Sequence, residues 1–127
     1  MPARLLIADS SSAVRAVIAR AIRIASPAVS DCYQAADARE VLRLIRTHQI
    51  DFLLLDTHLV GMEEEKLLPA LGAPDAAIPF MATSVDASST RIERLLEWGA
   101  RDYLLKPFSM PTLCARLETA LGSLPCQ

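Results

Sequence analysis

Positive charge is in short supply. Thirteen Lys and Arg stand against fifteen Asp and Glu, a formal net charge of −2, so no basic face marks the chain for direct nucleic-acid binding. Cysteine is scarce as well. Cys32, Cys114 and Cys126 are odd in number, widely spaced and without a Cys-x-x-Cys pair, which excludes a disulfide framework or zinc site. Cys32 in a predicted strand and Cys114 in a predicted helix read as small apolar fillers. Aromatic residues make up 5% of the chain, too few to stack a flavin. No apolar run reaches the ~18 residues a membrane span needs. Met1 to Ser10 lacks a long apolar region and is interrupted by Asp9, so it does not read as a signal peptide. The expectation is a cytoplasmic protein with no membrane partner.

What remains is a globular chain of 127 residues, 52% hydrophobic and 22% charged, long enough to bury roughly two thirds of its unfolded surface. One domain is expected over 1–127, with its core at about 4–122. The central stretch is Asp51-Phe52-Leu53-Leu54-Leu55-Asp56. A short unbroken apolar run is the mark of a strand buried on both faces of a parallel sheet. An unpaired acid within it would cost several kcal/mol, on the order of 2–7 for a polar group and more for a charge, so Asp56 belongs at its end. Arg4-Leu5-Leu6-Ile7-Ala8-Asp9 has the same form. Val29 to Ala35, Phe80-Met81-Ala82 ending at Thr83-Ser84, and Asp102-Tyr103-Leu104-Leu105 running into Lys106-Pro107-Phe108 complete five strands.

Helices fall between them. Serines 10 to 12 suit a cap before Val14, Val17, Ile18, Ala21, Ile22 and Ala25, which share one helical face; Ser26-Pro27 ends that helix. Asp37 caps a helix to about His48 with Val41, Leu42, Leu44 and Ile45 inward. Glu63-Glu64-Glu65 opens a short third helix, where acids favour the positive end. Gly72 to Pro79 is a loop. Ser88 or Ser89 caps a fourth helix with Ile92, Leu95 and Leu96 inward and Gly99 at its end. Ser109 caps a fifth carrying Leu113, Leu117, Ala120 and Leu121. Strict strand–helix alternation implies an α/β, doubly wound parallel sheet with right-handed crossovers and helices on both faces.

Parallel strands bring their carboxyl ends to one edge, where open α/β sheets place ligands. Asp9, Asp56, Thr83 and Lys106 therefore converge. Two carboxylates suit magnesium with phosphate oxygens, a lysine neutralises phosphate as a point charge, and a carboxylate can be the nucleophile of phosphoryl transfer. Taken alone, Asp56 is a helix or turn cap and Lys106 a surface lysine; the matching chemistry at neighbouring strand ends reverses that.

In this order and spacing, Leu6-Ile7-Ala8-Asp9, Asp51 to Asp56 with Gly61-Met62, Ala82-Thr83 and Gly99 to Phe108 resemble the receiver domain of two-component response regulators, from Arg4 to about Leu121. The resemblance implies a CheY-like (flavodoxin-like) sheet of order 2-1-3-4-5 and a signalling module, not an enzyme. Asp56 is similar to the phosphoacceptor that takes a phosphoryl group from a histidine kinase or phosphotransfer protein. Asp9, Asp56 and the backbone carbonyl of His58 correspond to magnesium ligands, Thr83 and Lys106 to the groups that contact the phosphoryl, and Tyr103 to an aromatic that swings inward when the threonine engages it. A cis Lys106–Pro107 bond is implied too. Trp98, Arg91, Arg94, Asp102 and Arg116 lie on the fourth-helix, fifth-strand, fifth-helix side, which the family uses for homodimers or output contacts.

The pattern departs from the family at two places. Ser10 stands where a second metal-binding acid is usual, offering a neutral oxygen and one less negative charge, and Val60 replaces a proline. Ser10 motivates an alternative: a receiver fold acting as a phosphorylation-independent interaction module. A haloacid-dehalogenase-like phosphatase needs a second Asp two residues after its nucleophile, where this chain has His58, and a flavodoxin-like carrier needs a phosphate loop after the first strand. Pro125 to Gln127 read as a linker or tail, so a stand-alone receiver and one followed by an output domain both stay open.

Overall fold

In the computed structural model the apolar runs lie side by side as one parallel sheet. It describes residues 3–26, 29–59, 61, 66, 67, 69, 71 and 78–122. The strands are β1 (Ala3–Ala8), β2 (Val29–Ala35), β3 (Phe52–Asp56), β4 (Phe80–Ser84) and β5 (Ala100–Leu105), in the order β2-β1-β3-β4-β5. The order follows from chemistry legible in each strand. β3 and β4 are buried at every residue and take central positions, whereas β2 is largely exposed and half-buried and takes an edge.

Four helices are fully described: α1 (Ser12–Ala25), α2 (Ala38–Thr47), α3 (Ser89–Glu97) and α4 (Met110–Gly122). The expected helix after β3 falls partly outside the described residues, including Glu63 to Glu65 and Leu68; Leu67 and Leu71 are buried. Residues 72–77 of the expected loop, Val60, Cys126 and the tail also lie outside them.

Side-chain alternation splits the core into two layers. Leu5, Ile7, Phe52, Leu54, Met81 and Leu104 face α1 and α4, meeting Ile18, Ile22, Leu113 and Leu117. Leu6, Ala8, Leu53, Leu55, Phe80, Ala82 and Tyr103 face the other way, toward Val41, Leu44 and Leu95. Each fully buried large side chain contributes roughly 1.5–3 kcal/mol, so this pattern resists a register slip, which would turn every side chain to the wrong face.

The helices begin where short polar side chains satisfy their first N–H groups. Ser11 accepts from Val14 N at 3.2 Å, Asp37 from Glu40 N at 2.8 Å, Ser88 from Arg91 N at 3.4 Å and Ser109 from Thr112 N at 3.2 Å. Glu40 returns the favour to Ala36 N at 3.0 Å. All four caps sit just beyond strand carboxyl ends, at the edge that carries the acids. Two expectations are corrected: Val17, read on the apolar face of α1, is 43% exposed and lines an open groove with Val85 and Phe108, and Leu96 does not face inward but is 45% exposed, while Leu95 is fully buried. Ile92 and Leu95, three residues apart, already define the inner stripe of this nine-residue helix, and the next residue is rotated about 100° away.

Candidate functional site

The buried apolar runs of β1, β3 and β4 give way to polar residues at their carboxyl ends. Asp9 follows β1 directly, Asp56 is the last residue of β3, and the parallel register pairs Asp56 with Thr83 on β4. Lys106 follows β5 and precedes Pro107 across a cis peptide. These ends close on one another. Lys106 Nζ donates to Asp9 Oδ2 at 2.5 Å and to Asp56 Oδ2 at 3.3 Å. Asp9 is 2% exposed and Asp56 7%; buried carboxylates need such partners.

The second oxygen of each acid is held by the turn that follows it. Ser11 N donates to Asp9 Oδ1 at 2.8 Å and His58 N to Asp56 Oδ1 at 3.0 Å. Both carboxylates are thereby fixed in direction, with lone pairs left over at each oxygen. Thr83, 1% exposed, uses its backbone oxygen to accept from Thr57 N at 2.9 Å, while its hydroxyl makes no hydrogen bond among the described residues. Asp9, Asp56, Thr83 and Lys106 are thus brought together as the spacing implies. Ser10 is exposed beside Asp9, and the His58 side chain is exposed while its backbone shares the turn after Asp56.

Tyr103 lies outside this cluster, in register with Ala82. It is already turned inward, 9% exposed, and its hydroxyl donates to Asp86 O at 2.7 Å. Trp98 is half-buried, and Asp102 and Arg116 form a forked pair with both N–O distances at 2.7 Å.

Two features around the acids were not read from the sequence. Thr57 Oγ1 donates to Ser84 Oγ at 2.6 Å, both side chains being buried, and Ser84 Oγ also accepts from Asp86 N at 3.0 Å. Arg15 donates from Nη1 to Asp9 O at 2.6 Å and from Nε to Gln34 Oε1 at 3.0 Å. A hydroxyl directly after the strand-ending acid was the available signal for Thr57. Arg15 had none, because it lies on α1 and its partner Gln34 on β2.

Chemically, a pair of directed carboxylates, an ammonium and an open hydroxyl can hold a cation and a tetrahedral anion at one edge. Magnesium takes one or two carboxylates together with phosphate and water, and Asp9 with Asp56 fit that minimum. The fit carries no third acid: no group of three or more His, Cys, Asp or Glu able to hold a metal occurs among the described residues. No helix among them is long and apolar enough to cross a membrane.

The fold recurs in solved structures, among them a CheY-like response regulator receiver domain from Methanospirillum hungatei, with a TM-score of 0.80 at 24% identity over 96% of this chain and 95% of that one. Among curated proteins, the transcriptional regulatory protein PrrA of Mycobacterium tuberculosis is 32% identical over 118 residues, 93% of this chain and 49% of its own length. The response regulator MprA of Mycolicibacterium vanbaalenii is 32% identical over 122 residues, 95% of this chain and 51% of its own. The chain spans about half the length of these relatives. Receiver domains are signalling modules that generally bind magnesium at their phosphorylation site. With the response regulator receiver domain model matched over residues 5–118, the chain belongs to that family.

Proposed function

We propose that the chain is a phosphorylation-dependent receiver in which Asp56 accepts a phosphoryl group from the phosphohistidine of a histidine kinase or phosphotransfer protein. The carrying observation is the convergence of Asp56 and Asp9 on the Lys106 ammonium beside the buried Thr83, whose hydroxyl makes no hydrogen bond among the described residues. One Asp56 carboxylate oxygen attacks phosphorus. The P–N bond breaks, its electron pair stays on the imidazole nitrogen, which takes up a proton, and a mixed acyl phosphate forms. Asp9, Asp56 and the His58 carbonyl would hold magnesium, which would supply charge neutralisation on the phosphoryl oxygens. Lys106 shifts its donors toward the transferred group as a mobile point charge, and Thr83 donates its hydroxyl to it.

An apolar groove of about 450 Å³, lined by Ala13, Val14, Val17, Val85, Pro107 and Phe108, opens beside Lys106, which supports a protein rather than a small molecule as the phosphoryl donor. The α3–β5–α4 face, with Leu96 and Leu105 exposed, would carry a homodimer or output contact. The setting is cytoplasmic, with no direct nucleic-acid contact from this domain. The test is an amide NMR titration with magnesium and beryllofluoride on wild type and Asp56→Asn. Saturable shifts at Thr83 and Tyr103 that vanish in Asp56→Asn are expected; identical shifts in both would refute the assignment.

A second reading is favoured by Ser10 and by the inward, hydrogen-bonded Tyr103: a receiver fold whose output face is set without phosphate. It predicts silence in wild type with response restored in Ser10→Asp.

A further inference from the structure

We propose that Arg91 is a positioning residue for the Asp56 carboxylate and acts through one peptide, the unit that joins Thr57 to His58. This rests on the reading of Asp56 as the phosphoacceptor. Arg91 lies in the first turn of α3, yet its guanidinium reaches back 34 positions and donates from Nη2 to Thr57 O at 3.2 Å. The N–H of that same peptide, on His58, donates to Asp56 Oδ1 at 3.0 Å. In a trans peptide the carbonyl and the N–H are rigidly joined and point in opposite directions. Cation, peptide dipole and carboxylate therefore follow one another in the order that favours each bond.

A donor on the carbonyl oxygen polarises the peptide and strengthens the bond its N–H makes, by about 10–30% per bond in a hydrogen-bonded chain. The rest of the turn is held as well. Thr57 N donates to Thr83 O at 2.9 Å, Leu59 N donates to Asp56 O at 3.2 Å, and Thr57 Oγ1 donates to Ser84 Oγ at 2.6 Å. Both peptides after Asp56 are thus bonded at each end, and of these partners Arg91 alone comes from a helix. With Oδ1 held by His58 N–H, Oδ2 stays on the Lys106 side, 3.3 Å from Nζ. A carboxylate kept from turning presents one oxygen to an incoming phosphorus in a set geometry, which lowers the barrier to attack. Because Arg91 begins α3, a partner that displaced this helix would loosen Asp56. By linkage, a group on Asp56 that disturbed the His58 N–H bond would act back on α3.

The experiment joins two measurements on the full chain of wild type, Arg91→Ala and Arg91→Lys. The first is amide hydrogen exchange at His58, with Ser11 as the internal reference, since Ser11 N makes the matching bond to Asp9 Oδ1 at 2.8 Å. The second is the rate at which phosphoramidate with excess magnesium labels Asp56, followed by intact mass. In that step the P–N bond breaks and the nitrogen leaves, protonated, as ammonia. Arg91→Ala should lower both the His58 protection and the labelling rate by ~3-fold or more, with Ser11 unchanged. Arg91→Lys, which restores a charged donor, should lie between Arg91→Ala and wild type. A smaller loss at His58, an equal loss at Ser11, or a His58 loss with unchanged labelling overturns the proposal. A wild type that phosphoramidate leaves unlabelled overturns the phosphoacceptor reading instead, and the exchange at His58 and Ser11 still decides whether Arg91 holds the carboxylate.

Discussion

The hydroxyl pair Thr57–Ser84 should behave as a buried, energetically coupled unit. Both side chains are below 4% exposure, and Ser84 Oγ serves two donors, Thr57 Oγ1 at 2.6 Å and Asp86 N at 3.0 Å. Ser84→Ala removes that acceptor and strands one buried hydroxyl and one half-buried N–H, at a cost of about 2–3 kcal/mol. Thr57→Val keeps the shape of the side chain and leaves Ser84 its amide partner, costing about 1 kcal/mol. In the double variant the orphaned Thr57 hydroxyl no longer exists, so the combined loss should fall short of the sum by about 1 kcal/mol. Urea denaturation of the four proteins, with unchanged m-values to show that the unfolded state is unaffected, measures the cycle. Additivity within about 0.3 kcal/mol would refute the claim that these hydroxyls depend on each other.

The other expectations are smaller. Gly61 sits at φ +77°, and among the described residues a Cβ there would meet only Ala38 Cβ at 3.7 Å; Gly61→Ala should therefore cost about 1–2 kcal/mol through the backbone conformation, and Gly61→Asn less, as read by thermal unfolding. Burial pushes the Cys32 thiol up to about 11, with Arg23 opposing and Asp31 reinforcing the shift. The unfolded chain thus loses this proton first, near 9.0, so stability should fall as pH rises from there through about 11, and Cys32→Ser should flatten that slope. An unchanged slope in Cys32→Ser would show that another group carries the alkaline loss. The Asp102–Arg116 pair, with side chains 28% and 45% exposed, should contribute less than ~1 kcal/mol and lose it in 1 M salt, by comparison of Arg116→Ala with wild type at two salt concentrations.

Much of the scaffold was legible because its signals are local. Four apolar residues closed by Asp56 specify a buried strand and where it must end, and Ser11, Asp37, Ser88 and Ser109 each cap a helix with their own side chain. Convergence of Asp9, Asp56, Thr83 and Lys106 then followed from parallel topology alone. What the reading missed is non-local. Thr57 meets Ser84 across 27 positions and Arg15 meets Gln34 across 19, and such pairs depend on strand register, which no single stretch encodes. The same holds for Tyr33 and His48, whose rings pack 4.4 Å apart although His48 alone reads only as a helix end. Leu96 shows the complementary limit: apolarity says that a residue can be buried, while helix phase and an edge strand decide that it is not.

The missed pairs matter because they join the acid edge to the outer face. From Asp56 the chain passes to Thr57, whose N–H holds Thr83 O and whose hydroxyl holds Ser84. Ser84 in turn binds Asp86 N through its side chain and Lys106 N through its carbonyl at 2.7 Å. The Tyr103 hydroxyl closes the path on Asp86 O. A group on Asp56 that drew Thr83 toward it would pull on a strand end whose neighbour is fastened at three points. The Asp86 backbone, bonded at its N–H to Ser84 Oγ and at its carbonyl to the Tyr103 hydroxyl, is the link between Tyr103 and the acid edge. Population shift at the outer face therefore requires differential stability of those two bonds, a demand that Tyr103→Phe and Ser84→Ala probe from opposite ends of the same short path.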